Sequence, residues 1–134
     1  MLRGPLGNNK YKPKFSGHDT FPFRYAWLTK LVHYLEDGNK KKIKEFEACI
    51  EKWKPRSILD FGCGKGALLQ TLEEKYPHIN FIGYDPAVLD YNTLPTQKFD
   101  VVFCNDVLEH VEPLYIDKVL NFIQTHSNKY VWLR

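Results

Sequence analysis

The chain has 134 residues, 43% of them hydrophobic and 26% charged, which suits one soluble-type globular domain with a real core. A formal net charge of +3 without a basic stripe gives no footprint of nucleic-acid or anionic-membrane binding. No apolar run nears the roughly 20 residues of a membrane helix, and the first residues, Met1 to Lys14, lack the apolar centre of a secretion signal.

Cys49, Cys63 and Cys104 form no C-x-x-C pair, which argues against a structural zinc or a disulfide framework. Reduced thiols and a cytoplasmic location are therefore expected. Residues 1–16 read as a flexible tail, broken by Gly4, Pro5, Gly7, Asn8, Asn9 and Pro13 and carrying scattered lysines. A helix is expected over 20–36, capped by Thr20, with Pro22 early and Phe23, Trp27 and Leu31 on one face. Gly38 stops it. A second helix is expected over 40–53, with Ile43, Phe46, Ile50 and Trp53 on one face and Pro55 beyond its end.

Alternation of strand and helix begins at Ser57. The pattern predicts strands over 57–61 and 80–84, joined by a helix over 66–75 that Pro77 closes. Pro86, Asn92, Thr93 and Pro95 predict an irregular stretch from Asp85 to Phe99. A buried parallel strand follows over 99–104, with Val101, Val102 and Phe103 at its centre. Pro113 opens a helix with Ile116, Val119, Leu120 and Ile123 on its apolar face, and 129–133 is the last predicted strand.

The turn after the first strand carries the chemistry. Asp60-Phe61-Gly62-Cys63-Gly64-Lys65-Gly66 places glycines at every second position between a strand's carboxyl end and a helix's amino end. Glycine alone turns so tightly and leaves room for a ligand against the backbone, and such turns hold nucleotide-like cofactors in α/β folds. Two cofactor classes compete. Gly62-x-Gly64-x-x-Ala67 satisfies the dinucleotide pattern, and the same residues satisfy D-x-G-x-G-x-G. In both classes Asp85, at the end of the next strand, would accept hydrogen bonds from ribose hydroxyls. Asp60 favours the second class: a carboxylate near a pyrophosphate is costly, whereas a ligand bearing an ammonium and a sulfonium welcomes it. A solvated strand-end carboxylate is the plainer reading of Asp60.

With Gly83-Tyr84-Asp85-Pro86 and the run Phe99-Asp100-Val101-Val102-Phe103-Cys104-Asn105-Asp106-Val107-Leu108-Glu109-His110-Val111, residues 55–134 resemble the class I S-adenosylmethionine-dependent methyltransferases. The resemblance implies a Rossmann-like, mostly parallel sheet of order (3)-2-1-4-5 with helices on both faces. The third strand is degenerate, and the last two strands of the family are lacking. It implies S-adenosylmethionine as cofactor, wrapped at its methionine half by Asp60, Phe61, Gly62, Cys63, Gly64 and Gly66. Tyr84, Asp85 and Pro86 would lie at the ribose, Asn105 and Asp106 at the sulfonium end, and Leu94 over the adenine. Chemistry would be in-line attack by a substrate oxygen or nitrogen on the methyl group, with the protein supplying position and enclosure.

Asp106-Val107-Leu108-Glu109 reads locally as a capping box, with Asp106 as N-cap. Its functional readings are a divalent-metal set of Asp106, Glu109 and His110, akin to a Glu-x-x-Glu-His element in some relatives, or His110 as general base. No metal is assigned. Cys63 and Cys104 read better as small buried filler than as reactive thiols. Residues 17–54 are expected to form N-terminal helices that lid the site, where Tyr25 or Trp27 would face substrate or pack on the sheet. Because the chain stops on its fifth family strand, that edge (129–133) invites a second copy or a completing subunit. A small-molecule substrate is expected. The alternatives are a truncated, catalytically idle cofactor-binding module and a dinucleotide-binding protein.

Overall fold

Strands whose side chains are apolar on both faces need covering on both faces. The computed structural model meets that need within residues 39–134, the part it describes. The tail and the helix expected over 20–36, with Tyr25 and Trp27, lie outside the described residues.

β1 (Ser57–Phe61), β2 (Asn80–Tyr84), β3 (Phe99–Cys104) and β4 (Ser127–Leu133) form one sheet, in the order β2-β1-β3-β4, with every pair parallel. This matches the expected order with the degenerate strand absent among the described residues. Helix α1 (Asn39–Trp53) precedes β1, α2 (Ala67–Lys75) joins β1 to β2, and α3 (Pro113–His126) joins β3 to β4.

The two-residue period of the strands sorts the core. Ile58, Phe81, Val101 and Phe103 face α1 and α2, where they meet Phe46, Ile50, Leu69 and Leu72. Leu59, Phe61, Tyr84, Val102 and Cys104 face α3, where they meet Val119, Phe122 and Ile123. Phe46 anchors α1: its ring centroid lies 4.3 Å from that of Phe103 and 4.8 Å from that of Trp132. Trp53 stacks on Tyr130 at 4.6 Å, and Arg134 bonds Glu45 at 2.6 Å, so α1 also grips β4. The described part of the expected lid thus packs flat on the sheet.

Differences from the sequence reading are local. β4 begins at Ser127, directly where α3 ends, two residues before the expected start. Gly66 is the N-cap of α2 rather than its first residue. Phe122, not Leu120, belongs to the buried face of α3. The stretch between β2 and β3 contains a 3-10 turn, Leu89–Tyr91.

Candidate functional site

Register brings the candidate residues together. Phe61 pairs with Tyr84 on one side and with Cys104 on the other, so β1, β2 and β3 finish level and their following turns share one rim. Gly62, Gly64 and Gly66 have φ of 86, 59 and 81°, the left-handed region that a side chain resists. The glycine turn is tied down from β2: Gly62 and Cys63 donate their N–H groups to the Tyr84 carbonyl at 2.7 and 3.1 Å, and Gly64 donates to Asp85 Oδ2 at 2.9 Å.

Asp85 is 0% exposed, and its Oδ1 accepts the Ala87 N–H at 2.8 Å. Its carboxylate therefore joins the glycine turn to the loop after β2. Phe61 and Tyr84 are 0 and 2% exposed and stack on each other at 5.4 Å, so what they offer the rim is backbone. Pro86 is buried beside Asp85. Leu94 is partly buried and packs on the α3 side with Leu108 and Tyr115. Asp60 is 6% exposed on β1, opposite Gly83 and Phe103.

The turn after β3 is unlike the expected capping box. The helix there is a single 3-10 turn, Leu108–His110, whose N-cap is Val107. Asp106 stands before it at φ 53° and donates its N–H to the Arg134 carbonyl at 2.9 Å. A non-glycine residue in that region costs on the order of 1 kcal/mol, a strain typical of ligand clamps. Beside it, Asn105 Nδ2 donates to Asp106 Oδ2 at 3.2 Å, while Asn105 Oδ1 is buried with no hydrogen-bond partner among the described residues. His110 is partly buried, with Nε2 3.8 Å from Glu109 Oε1. Among the described residues no three His, Cys, Asp or Glu side chains group as a metal site, so Asp106, Glu109 and His110 do not assemble as one.

Two contributors were invisible in the sequence. Tyr91 packs against Gly66 and Gly83, and Arg134 closes the β3 turn by donating its N–H to the Cys104 carbonyl at 3.1 Å. Both contacts join positions far apart in the chain, and neither residue sits in a motif.

All three cysteines are free. Burial, then Asp60 and Asp85, push the Cys63 thiol far above its ordinary range. Burial, then Asp60 and Glu109, push Cys104 up to about 12. Both are thiols, not thiolates, at neutral pH, which suits filler rather than chemistry. Folding therefore favours the protonated form. That contribution is complete below the ordinary thiol value of 9.0 and is lost as pH climbs from there toward about 12. Thermal melts across that window are expected to fall less steeply for Cys104→Ala than for the parent chain. An unchanged slope would mean that Cys104 titrates normally in the fold.

The sequence profile described as "Methyltransferase domain" matches residues 26–133. The chain belongs to this methyltransferase family, as its motifs implied. A curated relative, trans-aconitate 2-methyltransferase of Rhodopseudomonas palustris (strain BisB5), is 28% identical over 103 residues, covering 63% of this chain and 40% of that protein. Among solved structures, the plantazolicin methyltransferase BpumL in complex with SAH (S-adenosylhomocysteine) superposes with a TM-score of 0.56 at 16% identity, over 81% of this chain and 57% of that one. BpumL with a triazolic desmethylPZN analog and SAH gives 0.53 at 16% identity, covering 81% of this chain and 58% of that one. These likenesses establish the Rossmann-like fold. The chain spans about two fifths of the curated relative and under three fifths of the solved one. No helix of the described residues is long and apolar enough to cross a membrane.

Proposed function

We propose that the rim formed by the Asp60–Gly66 turn, Asp85 and the Asn105-Asp106 turn binds S-adenosylmethionine, and that the domain serves methyl transfer to an oxygen or nitrogen of a small substrate. The observation that carries this reading is the buried, partnerless Asn105 Oδ1 at the same rim as three left-handed glycines. A buried acceptor without a donor costs about 1–3 kcal/mol, and an ammonium or hydroxyl of such a ligand would relieve that cost. The SAH complexes of the structural neighbours support the choice of ligand.

When bound, S-adenosylmethionine supplies a methyl group already activated on a sulfonium. The chain supplies the rest. The glycine turn lets backbone approach the ligand, Asp60 holds negative charge close to the rim, and Leu94 and Leu108 give the α3 side an apolar wall. His110, partly buried in the turn that follows Asn105-Asp106, would take the proton from the attacking hydroxyl or amine. Of the lid expected over residues 17–54, only the part before α1 belongs to this proposal, because α1 packs on the sheet; a partner strand from a second copy or another chain along β4 belongs to it too. There Tyr130 and Leu133 are 43 and 49% exposed.

Calorimetry with S-adenosylmethionine, SAH and NAD tests the ligand. Binding of the first two and not the third is expected, and the reverse would install the dinucleotide reading. Transfer of labelled methyl into cell-extract fractions tests the enzyme. Binding without transfer in any fraction would leave an idle module that works through a partner. In a fraction that accepts label, His110→Ala is expected to slow transfer by about 100-fold or more with SAH affinity unchanged. A loss of affinity instead would make His110 part of the binding wall.

A further inference from the structure

Between β2 and β3 the chain carries only a 3-10 turn and irregular backbone, yet one side chain of that stretch reaches both halves of the glycine site. A Cβ built on Gly66 would run first into the Tyr91 hydroxyl oxygen and would lie 2.7 Å from Cζ and 2.8 Å from Cε2, so the phenol already occupies the space above the α2 N-cap. A Cβ on Gly83 of β2 would lie 3.1 Å from Tyr91 Cδ1. The Tyr91 carbonyl accepts the Asp85 N–H at 2.9 Å, and Asp85 in turn accepts the Gly64 N–H. The ring packs with the α1–α2 core cluster and walls a groove of about 400 Å³ beside β2, together with Leu69, Phe81, Asp90, Thr93 and Pro95.

We infer that Tyr91 is a positioning residue for the cofactor turn. Its ring braces Gly66 from the open side of β2, and its carbonyl sets the backbone that aims Asp85 at Gly64. The ring reaches both glycines, whereas the hydroxyl meets Gly66 alone. A preorganised turn binds more tightly because less ordering is left to do on association. The inference rests on the S-adenosylmethionine reading for its functional half only. The bracing itself is a property of the chain alone.

The test uses the full chain with Tyr91→Phe, Tyr91→Leu and Tyr91→Ala. The controls are Leu89→Ala on the same turn, where Leu89 is 66% exposed, and Ile79→Ala, a buried change at the opposite end of β2. Amide hydrogen exchange at Gly64 and Gly66 is read without ligand, and SAH affinity is read by calorimetry well below each melting transition. Tyr91→Ala is expected to speed exchange at both glycines and to weaken SAH by about tenfold. Tyr91→Leu should do both to a lesser degree, and it serves where the alanine variant fails to fold. Tyr91→Phe should match the parent. Ile79→Ala should lower the melting temperature and leave Gly64 protection and affinity alone. A second measurement pairs Gly66→Ala with Tyr91→Ala: the double variant should lose less than the sum of the two, because the crowding partner is gone.

Equal glycine protection in Tyr91→Leu and the parent, or strict additivity with Gly66→Ala, would overturn the brace. Faster exchange with SAH affinity unmoved would overturn its role in binding. A parent chain that fails to bind SAH would fell the cofactor reading instead, and the exchange experiment would still decide the brace.

Discussion

Asp85→Ala is expected to loosen the whole cofactor rim, costing about 2–4 kcal/mol of stability and at least tenfold in SAH affinity. The carboxylate is fully buried, and its two oxygens receive N–H groups from two different turns, Gly64 at 2.9 Å and Ala87 at 2.8 Å. Removing it leaves a buried donor at Gly64 and a partly buried one at Ala87, and bonds to a charged acceptor are worth about 1.5–3 kcal/mol each in net terms. Asp85→Asn gives a sharper comparison. An amide can accept through one oxygen but presents its NH₂ to the other N–H, so one turn stays held and the other is repelled. Its loss should lie between that of alanine and the parent. Urea unfolding and calorimetry on the same samples read both effects. If Asp85→Ala melted like the parent and bound SAH equally well, the link between β2 and the glycine turn would be incidental.

The largest purely structural effect is expected at Phe46. Its ring is 0% exposed and lies against Phe103 of β3 and Trp132 of β4, so it fixes α1 across two strands at once. Phe46→Ala should cost about 3–5 kcal/mol, the range for emptying an aromatic site in a close-packed core. Phe46→Leu keeps part of the volume and should cost roughly half of that. Urea denaturation decides. A loss below about 1 kcal/mol for the alanine variant would mean that α1 adds little to the sheet. The site lies across the sheet's rim rather than under α1, so SAH affinity measured while the variant is folded should change little.

What could be read in advance followed from local pattern. β1, β2 and β3 begin and end where the sequence placed them, because each is an apolar run bounded by a turn signal or a charged residue. The start of α3 was legible in Pro113, and the glycine turn in its spacing. What was not legible depends on contacts across the chain. Asp106 reads as an N-cap until Arg134 arrives through β4 and takes its N–H, leaving Val107 to start the short turn. Asp85 reads as a ribose acceptor, and nothing local says that its carboxylate also receives the Gly64 N–H 21 residues away. Tyr91 lies in a stretch full of breakers, where only the missing Cβ atoms of Gly66 and Gly83 make room for a ring. The start of β4 at Ser127 escaped because pairing with Phe99, not the composition of Ser127-Asn128, extends the strand.

Arg134, directly after β4, interlocks with the end of β3: its N–H donates to the Cys104 carbonyl, and its carbonyl accepts the Asp106 N–H. The sheet's outer margin and the loop presenting Asn105 are therefore one mechanical unit. Any neighbour that steadied that margin would also sharpen the pocket, and by reciprocity a filled pocket would raise the neighbour's affinity by the same factor.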